Sequence, residues 1–440
     1  MEGHSVWRQT RLWCTSGMLL LAACAGESTR PATVPQVALV DIPIDTALVA
    51  IGDSVGLVAV AKDSADNIIT SCLVKWRSRD TTVAAVSGNG LVVGVTRGTT
   101  RVTATCEGKS DSVTIAVRLR FASLSAGLDH TCGVLTSGDA YCWGYNGTGQ
   151  LGMGSRDTMF ALTPVRVVGG VKYSALGSTA LSTCGLSMSG SVWCWGTTPT
   201  LIPGGLTFVA LTVSDTSCAL TVSGLAYCWG ATPILVDSGL TFGSLAAGGS
   251  HVCAIAVGGA AYCWGSNSYG ELGDGSTTAS AAPVPVAGGL RFEYLTAYSK
   301  YTCGIVVGGS AYCWGSNRWG KLGNGSTTDS PSPVAVAGSL RFTSLSAGQN
   351  HVCGVTLPGD AYCWGLNDWG QFGNGTTAAS PTPVPAGTGQ RFTRLSAGGA
   401  HVCGLGTDGV AYCWGLGASG QVGGGILNNR NLGPVRVVGQ

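Results

Sequence analysis

The stretch "PVAVAGSLRFTSLSAGQNHVCGVTLPGDAYCWG", residues 333–365, holds four short apolar runs, "PVAVAG", "RFTSLSAG", "HVCGV" and "AYCWG", divided by turn residues. Each run has the length of a strand and is too short for a helix. The Cys-Trp-Gly that ends it recurs at Cys142, Cys194, Cys228, Cys263, Cys313, Cys363 and Cys413. Each of those cysteines has a partner ten positions upstream, at Cys132, Cys184, Cys218, Cys253, Cys303, Cys353 and Cys403. A single four-strand unit cannot cover both of its faces, so seven copies predict an all-β, seven-bladed propeller.

The last two runs of each copy are joined by a tight glycine turn such as "TSGD" or "LPGD", which sets the two cysteines opposite each other on adjacent antiparallel strands. Facing positions of that kind bring Cβ atoms to the separation a disulfide requires. Each bridge closes a loop of about eleven residues and stabilises by roughly 3 kcal/mol before strain. The tryptophan after the second cysteine points to the opposite face of the strand and offers an apolar plate for the next blade. The glycine after it lets the backbone turn out of the sheet.

Composition agrees with this reading. Glycine makes up 70 of 440 residues and charged residues only 10%, a balance shifted from helix toward turns. The formal net charge is +2, and Lys and Arg form no cluster, which argues against nucleic acid as a partner.

The N-terminus, residues 1–23, reads as an export signal: Arg8 and Arg11, then an apolar stretch through "GMLLLAA". The run from Leu21 to Cys24, "LAAC", resembles the bacterial lipoprotein box, in which the cysteine is acylated. That resemblance implies a lipid on Cys24, a membrane anchor, and, with Ala25 following, sorting to the outer membrane. Residues 24–36 form a polar, proline-bearing linker of at most about 40 Å. Residues 37–118 alternate with period two between Gly, Asp and Asn, as a small β-sandwich does. The words "VKWRSRDTTVAAVSGNGLVVGVTRGTTRVTATCEGKSDSVTIAV" (74–117) resemble the bacterial immunoglobulin-like domain of the invasin and intimin type. Cys72 and Cys106 are expected on neighbouring strands of that sandwich, bridged to each other. With Cys14 in the signal and Cys24 lipidated, the other sixteen of 18 cysteines pair evenly.

The propeller segment, residues 119–440, contains "HTCGVLTSGDAYCWGYNGTGQLGMG" (130–154) and "HVCGVTLPGDAYCWGLNDWGQFGNGT" (351–376), which resemble the regulator of chromosome condensation repeat, a family of seven-bladed propellers. The name-giving member is a nucleotide exchange factor for a nuclear small GTPase. Secreted bacterial members include an inhibitor of β-lactamase. The export signal, the paired cysteines and the immunoglobulin-like segment depart from the nuclear member, so exchange activity is not expected here. The first copy begins near Arg120 with no "PVxV" run before it, whereas "PVRVVG" (434–439) is left over at the end. This predicts that the C-terminal strand completes the first blade and locks the ring.

Four histidines, His130, His251, His351 and His401, hold the place two before the first cysteine of a pair; Ser182, Thr216 and Tyr301 hold it in the other copies. Imidazoles spread around a ring lie too far apart to share one ion, so they read as structural, and no metal or cofactor is expected. Nucleophile elbows, phosphate-cradling loops and paired carboxylates are likewise not found, and no catalytic residue is assigned.

The loops carry more. Long insertions follow five of the seven Trp-Gly pairs, at 145–155, 266–276, 316–326, 366–376 and 416–426. After Trp195 and Trp229 they are missing, and the spacing to the next tryptophan is 34 and 35. Insertions gather on one face of a propeller, so that face should carry a notch at the second and third blades. The residues that vary between tall loops are Tyr269, Arg318, Trp319, Lys321, Asp368 and Trp369, and aromatics and arginine on rigid loops are the usual anchors of recognition. The expectation is a non-enzymatic outer-membrane lipoprotein that presents this face to a protein or an envelope glycan. The alternatives are an inhibitor of a secreted enzyme or a hydrolase or lyase whose site is assembled across blades.

Overall fold

The computed structural model describes residues 36–230, 232–236 and 238–440. The expected export signal, the expected lipidation at Cys24 and the expected linker up to residue 35 lie outside the described residues.

The first folded unit is a β-sandwich. One sheet runs Thr46–Ala50, Lys109–Arg118, Gly98–Cys106, Lys75–Ser78, and the other Ser54–Gly56, Leu91–Gly94, Ala84–Val86. The period-two pattern buries Val92, Val102, Val113 and Ile115 between the sheets. Cys106 ends its strand and is bridged to Cys72, their Cα atoms 6.3 Å apart. Cys72 lies ahead of the Lys75–Ser78 strand rather than on it, because that strand begins three residues later.

From Phe121 onward the chain forms seven four-stranded antiparallel sheets, blades 1 to 7 in chain order. In blade 6 the strands are Phe342–Ala347, His351–Thr356, Ala361–Gly365 and Ser380–Ala386, from inside to outside. The innermost strands of all seven blades touch in succession, and that of blade 1, Phe121–Ala126, touches that of blade 7, Phe392–Ala397. They enclose an axial channel of about 430 Å³. The ring is closed.

Its closure differs from the sequence expectation. The C-terminal strand Asn428–Arg436 pairs with Ala411–Gly417 of blade 7, and blade 1 takes Phe160–Arg166 as its own outer strand. The "PVxV" run therefore ends a blade instead of starting one. The chain leaves the third strand, makes the tall loop and returns antiparallel beside the strand it left, as in Cys363↔Val384, so a local pairing is available in every copy. Among the described residues no strand is exchanged across the seam.

In every blade the two cysteines stand directly opposite and are bridged, with Cα atoms 4.0 to 4.1 Å apart. The second strand is buried on both faces, as in His351–Thr356. Trp364 of blade 6 packs with Phe342 over Cys303 and Cys313 of blade 5, so the indole covers the preceding blade, not the next one. The Trp364 indole N–H donates to the Lys321 carbonyl of blade 5 at 2.9 Å, which holds the ring on that side. Gly315, at φ 95°, shows why glycine follows the tryptophan: a Cβ there would lie 2.6 Å from the Lys300 carbonyl oxygen.

The sandwich joins the propeller on the face that carries the turns between second and third strands. The Leu119 N–H donates to the Gly439 carbonyl, Arg120 pairs with Asp53, and Gly52 sits against Ser137 in such a turn. The tall loops leave from the opposite ends of the strands.

Candidate functional site

Four of the five tall loops are built around one buried asparagine, Asn146, Asn267, Asn317 or Asn367, and the blade 7 loop has Gly417 in its place. In blade 5 Asn317 Oδ1 accepts from the Leu322 N–H at 2.9 Å, while Nδ2 donates to the Ser326 and Thr328 carbonyls at 3.0 and 2.9 Å. An apolar plug, Leu151, Leu272, Leu322, Phe372 or Val422, anchors each loop beneath. The residue before the plug aims its carbonyl at the following blade. The Gln421 carbonyl accepts from Trp143 Nε1 and from the Thr131 hydroxyl, both at 2.9 Å. Equivalent bonds run from Trp195 to Gln150, Trp314 to Glu271, Trp364 to Lys321 and Trp414 to Gln371. These are the five joints whose preceding blade has a tall loop.

Beneath these bonds lie the histidines. Nε2 of His130, His251 and His401 stands 2.9, 2.7 and 2.8 Å from the hydroxyl of Thr183, Thr302 and Thr131 on the next blade. Each of those hydroxyls gives its single proton to a loop carbonyl, so Nε2–H is the donor and the neutral imidazole is held in that tautomer. Burial pushes His130, His251 and His351 down to about 4 and His401 to about 3. They are joints between blades, as their repeated placement suggests.

At the second and third blades, where the insertions are missing, the outer strands shrink to Thr200–Leu201 and Ile234–Leu235. Between the third and fourth blades Trp229 and Trp264 border an open groove of about 510 Å³.

Blade 5 departs from the other copies at several positions that meet in space. Where blade 6 reads "AGQNH" (347–351), blade 5 reads "AYSKY" (297–301). Tyr301 replaces the histidine and donates to the Gly348 and His351 carbonyls at 2.7 and 2.9 Å. Lys321 replaces the Gln or Glu of the other tall loops; it is 4% exposed, with its ammonium 4.9 Å above the Tyr301 ring. In blades 4 and 6 the side chain at this position accepts from the backbone two residues earlier, Tyr269 N–H to Glu271 Oε2 at 2.7 Å and Trp369 N–H to Gln371 Oε1 at 2.9 Å. Lysine has no acceptor to offer, and Trp319 sits at φ 72°. Burial pulls the Lys321 ammonium down to about 8.

Around Lys321 lies a pocket of about 710 Å³, walled by Tyr269, Lys300, Arg318, Trp319, Asp329 and Gln349. Lys300 lies 4.3 Å over the Tyr269 ring, and Arg318 5.2 Å over the Trp319 ring. Ser299 and Gln349 also border the mouth of the axial channel. Of the six residues singled out from the sequence, the fold gathers Tyr269, Arg318, Trp319 and Lys321 here. Trp319 and Tyr269 are exposed at 43% and 36%, whereas Lys321 is buried instead of lying on the loop surface. Asp368 and Trp369 are not among the walls; Trp369 is covered from blade 7 by Arg430, 5.3 Å from its ring. Lys300, Asp329 and Gln349 were missed, although the break in the "AGxxH" word at 297–301 was a signal for Lys300.

Two models of the regulator of chromosome condensation (RCC1) repeat match the chain, one at residues 258–304, 308–355 and 358–405, the other at 121–150, 244–271, 342–371 and 392–421. Neither covers the two short blades. The bacterial Ig-like domain (group 2) model matches residues 36–117. The ultraviolet-B receptor UVR8 of Arabidopsis thaliana is 33% identical over 78 residues, 18% of this chain and 18% of the receptor, so the match spans under a fifth of that curated relative. Yeast RCC1 (Prp20), solved bound to Kap60, superposes with a TM-score of 0.62 at 22% identity, covering 72% of this chain and 85% of that one. Prp20p of Saccharomyces cerevisiae, solved with a study of its binding to Gsp1p and histones, gives 0.61 at 22% identity over 72% and 87%. These likenesses show the fold.

Proposed function

Since the chain carries regulator of chromosome condensation repeats in a propeller behind a bacterial immunoglobulin-like domain, we propose that it is a non-enzymatic binding protein of the bacterial envelope. In this reading Cys24 is lipidated, the immunoglobulin-like domain is the spacer, and the looped face meets a protein partner. The observation that carries the reading is the convergence of blade 5's departures, Lys300, Tyr301 and Lys321, on one pocket of the looped face, beside the exposed Trp319. A repeat needed only to complete a ring has no reason to abandon its joint residues together. The attachment of the sandwich to the opposite face supports it too, because it leaves the looped face unobstructed. Prp20p, studied for binding to Gsp1p and histones, is a precedent for protein partners on this fold. The test is photo-crosslinking in the native envelope from position 269, compared with position 222 on the far side. Crosslinks from 269 that disappear in Trp319→Ala support the reading, and an identical pattern from both positions ends it. Membrane release of Cys24→Ser checks the anchor, and retention removes it.

A further inference from the structure

We infer that the blade 5 pocket is an anion site that takes a carboxylate of an acidic peptide, with Lys321 as its buried cation and Arg318 and Lys300 at its rim. This deepens the binding reading above and rests on it.

The argument begins with charge. Three cations, Lys300, Arg318 and Lys321, border the pocket against one carboxylate, Asp329. Asp329 is partly occupied, since its Oδ1 accepts from the Asn317 N–H at 2.6 Å. The nearby Glu271 turns inward to its own loop, where it accepts from the Tyr269 N–H at 2.7 Å and the Ser266 hydroxyl at 3.3 Å. A net positive pocket on a chain of formal net charge +2 is a local arrangement, not a reflection of overall composition.

The second step is the state of Lys321. It is more than nine-tenths buried and makes no salt bridge or hydrogen bond among the described residues; its ammonium has the Tyr301 ring on one side and the pocket on the other. Three cations around a pocket with Asp329 as its one carboxylate are short of counter-charge, and an oxyanion entering beside the Lys321 ammonium supplies it. Burial lowers its proton affinity, the neighbouring Lys300 and Arg318 charges add to that, and Asp329 opposes it. The other tall loops show that the position does not need lysine for folding, because glutamine or glutamate there closes the loop.

The third step is geometry. Arg318 brings a planar fork suited to a carboxylate. Trp319 and Tyr269 add flat exposed walls that suit the apolar part of a peptide. No stripe of Lys or Arg extends from the pocket to follow a phosphate backbone, which favours a short acidic segment over nucleic acid.

The probe is a five-glutamate peptide, titrated into the purified chain by calorimetry and by tryptophan fluorescence, with a five-glutamine peptide of the same length alongside. The expected result is binding of the glutamate peptide only. Lys321→Gln, which installs the residue that closes the other loops, should keep the fold and weaken binding on the order of tenfold or more, and Arg318→Ala should weaken it to a similar degree. Equal affinity for the two peptides, or unchanged affinity in Lys321→Gln, overturns the assignment. If either occurs while crosslinks from position 269 still depend on Trp319, the anion chemistry is wrong and the binding face stands.

Discussion

His401 Nε2 of the last blade lies 2.8 Å from Thr131 Oγ1 of the first, and it is at this contact, with Trp143 reaching the Gln421 carbonyl beside it, that the two ends of the propeller meet. The same pair of bonds joins blades 1 and 2 and blades 4 and 5. The seam is therefore built like an ordinary joint. Thr131→Val should remove one donor and one acceptor from buried partners and cost about 1–3 kcal/mol of stability, read by denaturant unfolding. A cost no larger than that of an exposed threonine substitution would show that the seam is held elsewhere.

The joint between blades 6 and 7 is incomplete. Both ring nitrogens of His351 are buried without a partner among the described residues, and Val402 stands where the three other histidine joints have Thr131, Thr183 and Thr302. Val402→Thr places a hydroxyl between His351 Nε2 and the Gln371 carbonyl, and should stabilise by about 1 kcal/mol. Val352→Thr is the control, since blade 5 supplies Tyr301 and no imidazole to that joint; it should not stabilise.

Acid should loosen the ring. The four buried imidazoles have folded-state pKa values of about 4, 4, 4 and 3, against 6.5 when free. Between about pH 6.5 and 4 the unfolded chain binds more protons than the folded one, so stability is complete above that window and falls as pH is lowered through it. Unfolding midpoints measured from pH 8 to pH 4 should drop across this range, and replacing His130 by Gln should shallow the slope. A flat profile would mean that the imidazoles are not held neutral.

Lys321→Gln should also act on stability, in the direction opposite to its effect on anion binding. Glutamine supplies the acceptor that Trp319 N–H lacks and frees Trp319 from φ 72°. The gain should be about 1–2 kcal/mol, the order of a non-glycine left-handed residue. Loss of stability in this variant would mean that Lys321 is structural.

Sixteen cysteines are paired in the described residues. Alkylation of the protein recovered without reductant, read by mass spectrometry, should leave all sixteen unmodified. Replacing Cys353 and Cys363 together by alanine should cost roughly 3 kcal/mol, the closure of one short loop. Free thiols in the blades would remove the covalent part of their stability.

Much of this was legible in the text of the chain. The facing cysteines, the glycine after each tryptophan and the architectural asparagines follow from spacing within a single hairpin or loop, where only nearby residues decide the outcome. The direction in which Trp364 packs did not follow, because a strand shows which residues share a face and not which neighbour covers it. Nor did the partner of the C-terminal strand, since "PVRVVG" fits either side of the seam by pattern. Of the candidate residues, Tyr269, Arg318 and Trp319 were found by their variation between copies. Lys321 was found with them, but its burial was not.

What the sequence settled alone is the repeating unit: four strands, a bridged hairpin and a loop, each specified by periodicity, turn chemistry and cysteine spacing that act over a few residues. What only the assembled ring decided is which repeats meet. The pocket of blade 5 joins residues 269, 300, 321 and 349, which come from three blades and become neighbours only when the sheets tilt and close around the channel. Local rules place a side chain on a face. Packing between distant segments decides whether that face meets solvent, another blade or a buried charge.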